Sequence, residues 1–128
     1  MKIINRLFSV FILLAAISLH AEPAKSRPIQ LNGWSMLPTF KYGTVLQEYF
    51  VPYDQIKEGD VVAYHNPLFQ SNVLTWRNST AHRAVKKVEK IVNGKKEIWW
   101  VMKGDNNSSL DPGYMTPHNY EGLVLAYN

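Results

Sequence analysis

Apolar positions along most of this chain fall in short runs rich in β-branched and aromatic residues, bounded by Gly, Pro and Asn, the pattern of strands in a sheet. Thr44 to Val51 is rich in β-branched and aromatic residues and is stopped by Pro52. Asp60 to Tyr64 is a short apolar run entered through Glu58-Gly59. Ala84 to Val92 and Lys96 to Lys103 flank Asn93-Gly94, a dipeptide suited to the two positive φ values of a type I′ hairpin turn. Leu123 to Tyr127 supplies a closing strand, and a helical turn is expected only around Pro52 to Ile56. Residues 65–81, with Asn66-Pro67, Asn72 and Asn78, form a long polar excursion between two strands. The expected fold class is therefore mainly β, a small β core with its polar motifs at strand ends.

The first 21 residues break this pattern. Lys2 and Arg6 form a basic start, and Leu7 to Leu19 is apolar except for Ser9 and Ser18. His20-Ala21 then leads into Glu22-Pro23. This is the layout of a secretory signal with Ala21 as the last residue removed. The run is shorter than the roughly 20 residues of a spanning helix, but including Ile3 and Ile4 would allow an uncleaved membrane anchor. An N-terminal apolar targeting or anchor helix is expected over 1–21, with the following domain delivered outside. That domain is membrane-associated if the segment is retained, and periplasmic or extracellular if it is cleaved. Residues 22–30, with two prolines and little apolar content, read as a linker. Residues 31–128 then form one domain.

Composition narrows the function classes. A chain of 128 residues holds one domain with a small core. Its net charge of +4 owes two of its 14 basic residues, against 10 acidic ones, to Lys2 and Arg6. Lys86-Lys87 and Lys95-Lys96 are short pairs in strand-like surroundings, so they read as solvated faces and not as a nucleic-acid footprint. The absence of cysteine excludes a disulfide framework, thiol catalysis and thiolate metal sites.

Four residues stand out chemically. Ser35, in Gly33-Trp34-Ser35-Met36-Leu37-Pro38-Thr39, sits at a restricted bend because Pro38 fixes its own φ and biases Leu37 toward an extended conformation. A hydroxyl there is a nucleophile if a base and oxyanion donors meet it, and otherwise a turn-capping serine. His82, in Ala81-His82-Arg83-Ala84-Val85, lies at the mouth of a strand. Histidine suits a general base at neutral pH, and a carboxylate on its other nitrogen would hold the tautomer. Asp105 and Asp111 lie in Gly104-Asp105-Asn106-Asn107-Ser108-Ser109-Leu110-Asp111-Pro112-Gly113, which also reads as a turn of short polar side chains bonding their own backbone. A calcium loop would use Asp105, Asn107 and Ser109, but Leu110 occupies its glycine position and Thr116 its glutamate position. Paired histidines at zinc-ligand spacing are missing. No metal or cofactor is expected.

Taken in order, these segments resemble the type I signal peptidase family of serine endopeptidases. Gly33 to Thr39 is similar to the nucleophile box, and Glu58-Gly59-Asp60-Val61-Val62-Ala63-Tyr64 to the strand box that follows. His82-Arg83-Ala84-Val85 is similar to the general-base box, and Lys103-Gly104-Asp105-Asn106-Asn107 through Asp111 to the acidic box. The likeness spans about residues 30–127 and includes Pro117-His118-Asn119-Tyr120-Glu121-Gly122 before the final strand. Most bacterial members carry lysine where this chain has His82, so the resemblance is to the histidine branch found in the endoplasmic reticulum, in archaea and in some bacteria. It implies Ser35 as nucleophile, His82 as base, Asp111 as the residue orienting the base, and Asp105 as a supporting carboxylate. Many members have a hydroxyl residue two positions before the nucleophile. Here that position is Gly33, which leaves backbone N–H groups, that of Ser35 first, to form the oxyanion hole.

The resemblance further implies a serine endopeptidase that cuts exported preproteins or peptides after small residues, binding them extended as an added β-strand at or near a membrane surface. Activity would fall as acid protonates the histidine. Two alternatives belong to other classes. One is a catalytically degenerate exported β domain that still binds extended peptides. The other, a self-cleaving repressor of a related lysine-dependent fold, lacks support because the chain has no DNA-binding helical domain and carries an export-like start.

Overall fold

The computed structural model describes residues 25–66, 68, 72–74 and 79–127. Seven strands form one sheet: β1 (Ser26–Leu31), β2 (Val45–Tyr49), β3 (Val61–His65), β4 (Val73–Leu74), β5 (Ser79–Val92), β6 (Lys95–Lys103) and β7 (Tyr120–Ala126). Their order is β4-β1-β2-β7-β3-β5-β6, and every pairing is antiparallel. β4 also packs against β5, so the sheet curls back on itself into a partly closed barrel, with the β5–β6 hairpin extending beyond the closure.

Side-chain alternation along the strands separates two apolar clusters. Ile29 and Leu31 of β1, Leu46 of β2, Val61 and Ala63 of β3, Val73 of β4, Ala81 of β5 and Val124 of β7 pack with Met36 in one cluster, the barrel interior. Val62 and Tyr64 of β3 point the other way, joining Ala84, Trp100, Met102, Leu123, Val51, Ile56 and Met115. Buried on both faces, β3 is apolar without alternation, hence the continuous run in its sequence. The β5–β6 turn has Asn93 at φ 52° and Gly94 at φ 80°, the left-handed pair that the dipeptide foretells.

The expected linker over 22–30 overlaps a strand. Residues 26–31 pair with β2 from Ser26↔Tyr49 to Gln30↔Val45. Ile29 and Leu31 reach the barrel interior, and that tertiary pairing outweighs the polar composition. Pro28 is tolerated because β4 pairs only with Gln30 and Leu31, so β1 has an open edge where the missing N–H costs no ladder bond.

The expectation of a β core joined to an N-terminal apolar helix, and of a membrane-associated domain, is corrected. Among the described residues, no helix is long and apolar enough to cross a membrane, and the helix present is the three-residue 3-10 turn Tyr53–Gln55. The apolar residues that are described pair with period two into the sheet instead. Residues 1–21, on which that expectation fell, lie outside the described residues.

Candidate active site

Three segments converge where β4 meets β5. The first is the turn after β1, which carries Ser35 and a cis Leu37–Pro38 peptide. Gly33 begins it at φ +153°, a conformation that L side chains rarely adopt. Met36, 1 % exposed, anchors the turn in the barrel interior, which leaves the neighbouring Ser35 part-exposed. The second segment is the start of β5. His82 follows the interior-facing Ala81 and is fully buried on the opposite face of the sheet.

The third segment is the chain after β6. Arg83 pairs with Lys103 across the β5–β6 ladder, so Gly104 falls next to His82. A Cβ on Gly104 would lie 2.8 Å from the Ser35 carbonyl oxygen and 3.0 Å from His82 Nε2. Only a residue without a side chain allows this approach. The turn beyond it clamps the serine loop, with Asn106 N–H donating to the Ser35 carbonyl (2.8 Å) and Asn106 Nδ2 to the Trp34 carbonyl (3.2 Å). Asp111 N–H then bonds the Met102 carbonyl at 2.8 Å, which fixes the aspartate against β6.

These elements bring Ser35, His82 and Asp111 into one line. His82 Nδ1 lies 2.7 and 2.9 Å from the two carboxylate oxygens of Asp111, whose side chain is fully buried. A carboxylate only accepts, so Nδ1 carries the proton and Nε2 of the neutral ring is left as an acceptor. Ser35 Oγ stands 3.0 Å from Nε2, placed to donate its proton there. Tyr64 OH donates to Asp111 Oδ2 at 2.5 Å, and Asn66 Nδ2 bonds both Tyr64 OH (3.2 Å) and the Pro112 carbonyl (2.8 Å). Burial, and then the Asp111 carboxylate beside it, push the Tyr64 hydroxyl far above the ordinary tyrosine range, so it remains a donor throughout.

Asp105 stands outside this line. Arg83 Nε and Nη2 grip its carboxylate at 2.8 and 2.6 Å, and Thr39 Oγ1 donates to it at 2.6 Å. The Arg83 hydrogen bonds, aided by Thr39 and by the charges of Arg83 and Lys103, hold its carboxyl below the usual range against the opposing effect of burial. Asp105 thus ties the serine turn to β5 and to the turn after β6, which is a supporting position. A cavity of about 560 Å³ between the 3-10 turn and the β5–β6 hairpin, lined by Tyr53, Ile56, Lys87, Glu97 and Trp100 among others, contains none of these residues.

One contact has no counterpart in the sequence reading. Asn72, buried just before β4, places Nδ2 3.0 Å from Ser35 Oγ. It lies in the polar excursion at 65–81, where no periodicity or motif marks a site residue. Tyr64 was legible only as one more apolar strand position.

The arrangement can move a proton from the Ser35 hydroxyl to His82 while Asp111 holds the ring. No protein-family model matches the sequence, and comparison with curated proteins finds no match.

Proposed function

We propose that this protein is a serine endopeptidase of the signal peptidase type, cutting exported preproteins or peptides after small residues. The observation that carries the reading is the unbroken line Ser35 Oγ–His82 Nε2, His82 Nδ1–Asp111 at 3.0 and 2.7 Å, within the range that general-base activation of a hydroxyl requires.

The chemistry follows from those contacts. Ser35 Oγ attacks the scissile carbonyl carbon while its proton passes to His82 Nε2, and the carbonyl oxygen becomes an oxyanion. Asp111 accepts from Nδ1–H throughout and stabilises the imidazolium without taking its proton. Collapse of the tetrahedral intermediate breaks the C–N bond, and His82 gives the proton to the departing amine. Water then attacks the acyl-serine, giving a proton to His82, and release of the acid returns that proton to Ser35. Among the described residues, the Ser35 N–H makes no backbone hydrogen bond, so it is free to donate to the oxyanion. The exposed Trp34, packed on Tyr42 at 5.0 Å between ring centroids, offers apolar surface beside the nucleophile.

The test is cleavage of a panel of preproteins by the purified protein. Cleavage after a small residue is expected, with Ser35→Ala and His82→Ala each lowering kcat/KM by roughly four to six orders of magnitude. Cleavage that survives Ser35→Ala would sink the reading. Binding of extended peptides without any cleavage by the wild type would assign the fold to a non-catalytic peptide-binding domain.

A further inference from the structure

We propose that the side-chain amide of Asn72 is a catalytic group, donating a hydrogen bond to the oxyanion formed when Ser35 attacks. This rests on the serine-endopeptidase reading and adds to it a residue that no motif marks.

The first support is that the orientation of the amide is determined by its partners. Asn72 Oδ1 accepts from the Ala81 N–H at 2.7 Å, and Nδ2 donates to the Ala81 carbonyl at 2.9 Å. An N–H can be met only by the oxygen and a C=O only by the nitrogen, so these two bonds rule out the flipped amide. The backbone is held as well, since the Asn72 carbonyl accepts from Asn32 N–H at 2.6 Å. With one Nδ2 proton on Ala81, the second is aimed at Ser35 Oγ, 3.0 Å away.

The second support is what Ser35 Oγ does with its two neighbours. It donates to His82 Nε2 and accepts from Asn72 Nδ2, so the amide turns the hydroxyl proton toward the base. When Oγ attacks, the new oxyanion and Oγ are substituents of one tetrahedral carbon. A donor fixed beside Oγ therefore reaches the oxyanion with little movement, and a buried, preorganised N–H is where such stabilisation is strongest. At that step Oγ becomes an ester-like oxygen, a poorer acceptor than the full negative charge beside it, so the amide proton is drawn to the oxyanion.

The third support is space. Gly33 presents no hydroxyl, and a Cβ built there would sit 3.6 Å from the Asn72 Cβ. A side chain at 33 would therefore stand in van der Waals contact with Asn72, so the two positions flank the same side of the nucleophile. With the Ser35 N–H, Asn72 makes up a pair of donors drawn from a backbone and a side chain.

The experiment compares wild type with Asn72→Ala and the isosteric Asn72→Asp, which keeps an acceptor for Ala81 N–H but has no N–H of its own. Both should lower kcat by about 10²- to 10³-fold with KM nearly unchanged. Affinity for a substrate-derived peptide aldehyde, whose adduct with Ser35 carries the oxyanion, should fall by a similar factor. Since Asn72 also links β4 to β5, a measurement on the unaltered protein stands beside the variants. In ¹⁵N-edited NMR, one of the two Asn72 side-chain protons should move downfield when the aldehyde adduct forms. Folded variants that keep kcat within about threefold of wild type would overturn the role of Asn72. So would an unshifted Asn72 amide in the wild-type adduct, or aldehyde affinity unchanged in the face of lowered stability. A wild type that neither cleaves peptides nor forms the adduct would remove the endopeptidase reading itself, a distinct result from failure of Asn72 alone.

Discussion

At the scale of single residues, the site is governed by a side chain that is not there. Gly104 lets the chain after β6 pass against both the Ser35 carbonyl and the His82 ring. An alanine would place a methyl 2.8 Å from the Ser35 carbonyl oxygen and 3.0 Å from His82 Nε2, and relieving either contact moves Ser35 and His82 apart. Misplacing reacting groups by about 1 Å can cost 10²-fold in rate, so Gly104→Ala is expected to lower kcat by about that factor while the fold survives. Steady-state kinetics together with circular dichroism would check this. A variant with wild-type kcat would mean that the close approach has no bearing on the chemistry. Tyr64 works by presence instead, its buried hydroxyl occupying one Asp111 oxygen so that the carboxylate meets His82 in a fixed attitude.

At the scale of elements, hairpin and site are separable. The β5–β6 turn lies at the far end of β5 from His82, roughly 30 Å along the strand at 3.3 Å per residue. Gly94 has φ 80°, and a Cβ there would meet nothing within 4 Å, so Gly94→Ala costs only the backbone penalty, about 1 kcal/mol. Thermal denaturation should show the midpoint falling by roughly 4–8 °C, with activity per folded molecule unchanged. This turn was legible because two adjacent residues dictate it. The strands around it were legible because their β-branched and aromatic composition is local. β1 was not, since nothing within Ser26–Leu31 announces that Ile29 and Leu31 will find an interior; β2 supplies the reason. The polar stretch at 65–81 hid β4 and Asn72 for the same cause: a two-residue strand and an asparagine acquire meaning only where the sheet closes. Ser35, His82, Asp105 and Asp111 were singled out by their boxes, but separations of 47 and 29 residues say nothing of which carboxylate meets the ring. The geometry gives Asp111 to His82, and Asp105 to Arg83 and Thr39.

At the scale of the whole molecule, the fold is two ladders with a shared member. β4, β1 and β2 carry the serine turn, β3, β5 and β6 carry His82 and lead to Asp111, and β7 lies between β2 and β3. Asp105 is a second tie between the halves, reaching Thr39 on one side and Arg83 on the other. Because its folded pKa is depressed, the stability it contributes is present above the ordinary carboxylate value and lost as pH falls through the folded one. Asp105→Asn should cost about 1–2 kcal/mol at neutral pH, and the gap should narrow as pH drops below about 4. Urea denaturation of both proteins across that range would show it, and a gap independent of pH would place the effect elsewhere. The central position of β7 also sets a clock. A ribosome makes Ser35, His82 and Asp111 before it makes residues 120–126, and segments emerge in that order at about 5–20 residues per second. Until β7 arrives, β2 and β3 have no common neighbour, and the serine turn meets the His82 side only across the β4–β5 contact and the turn after β6. The strand that joins the two halves through the middle of the sheet is thus among the last to be made, and it carries none of the groups it holds together.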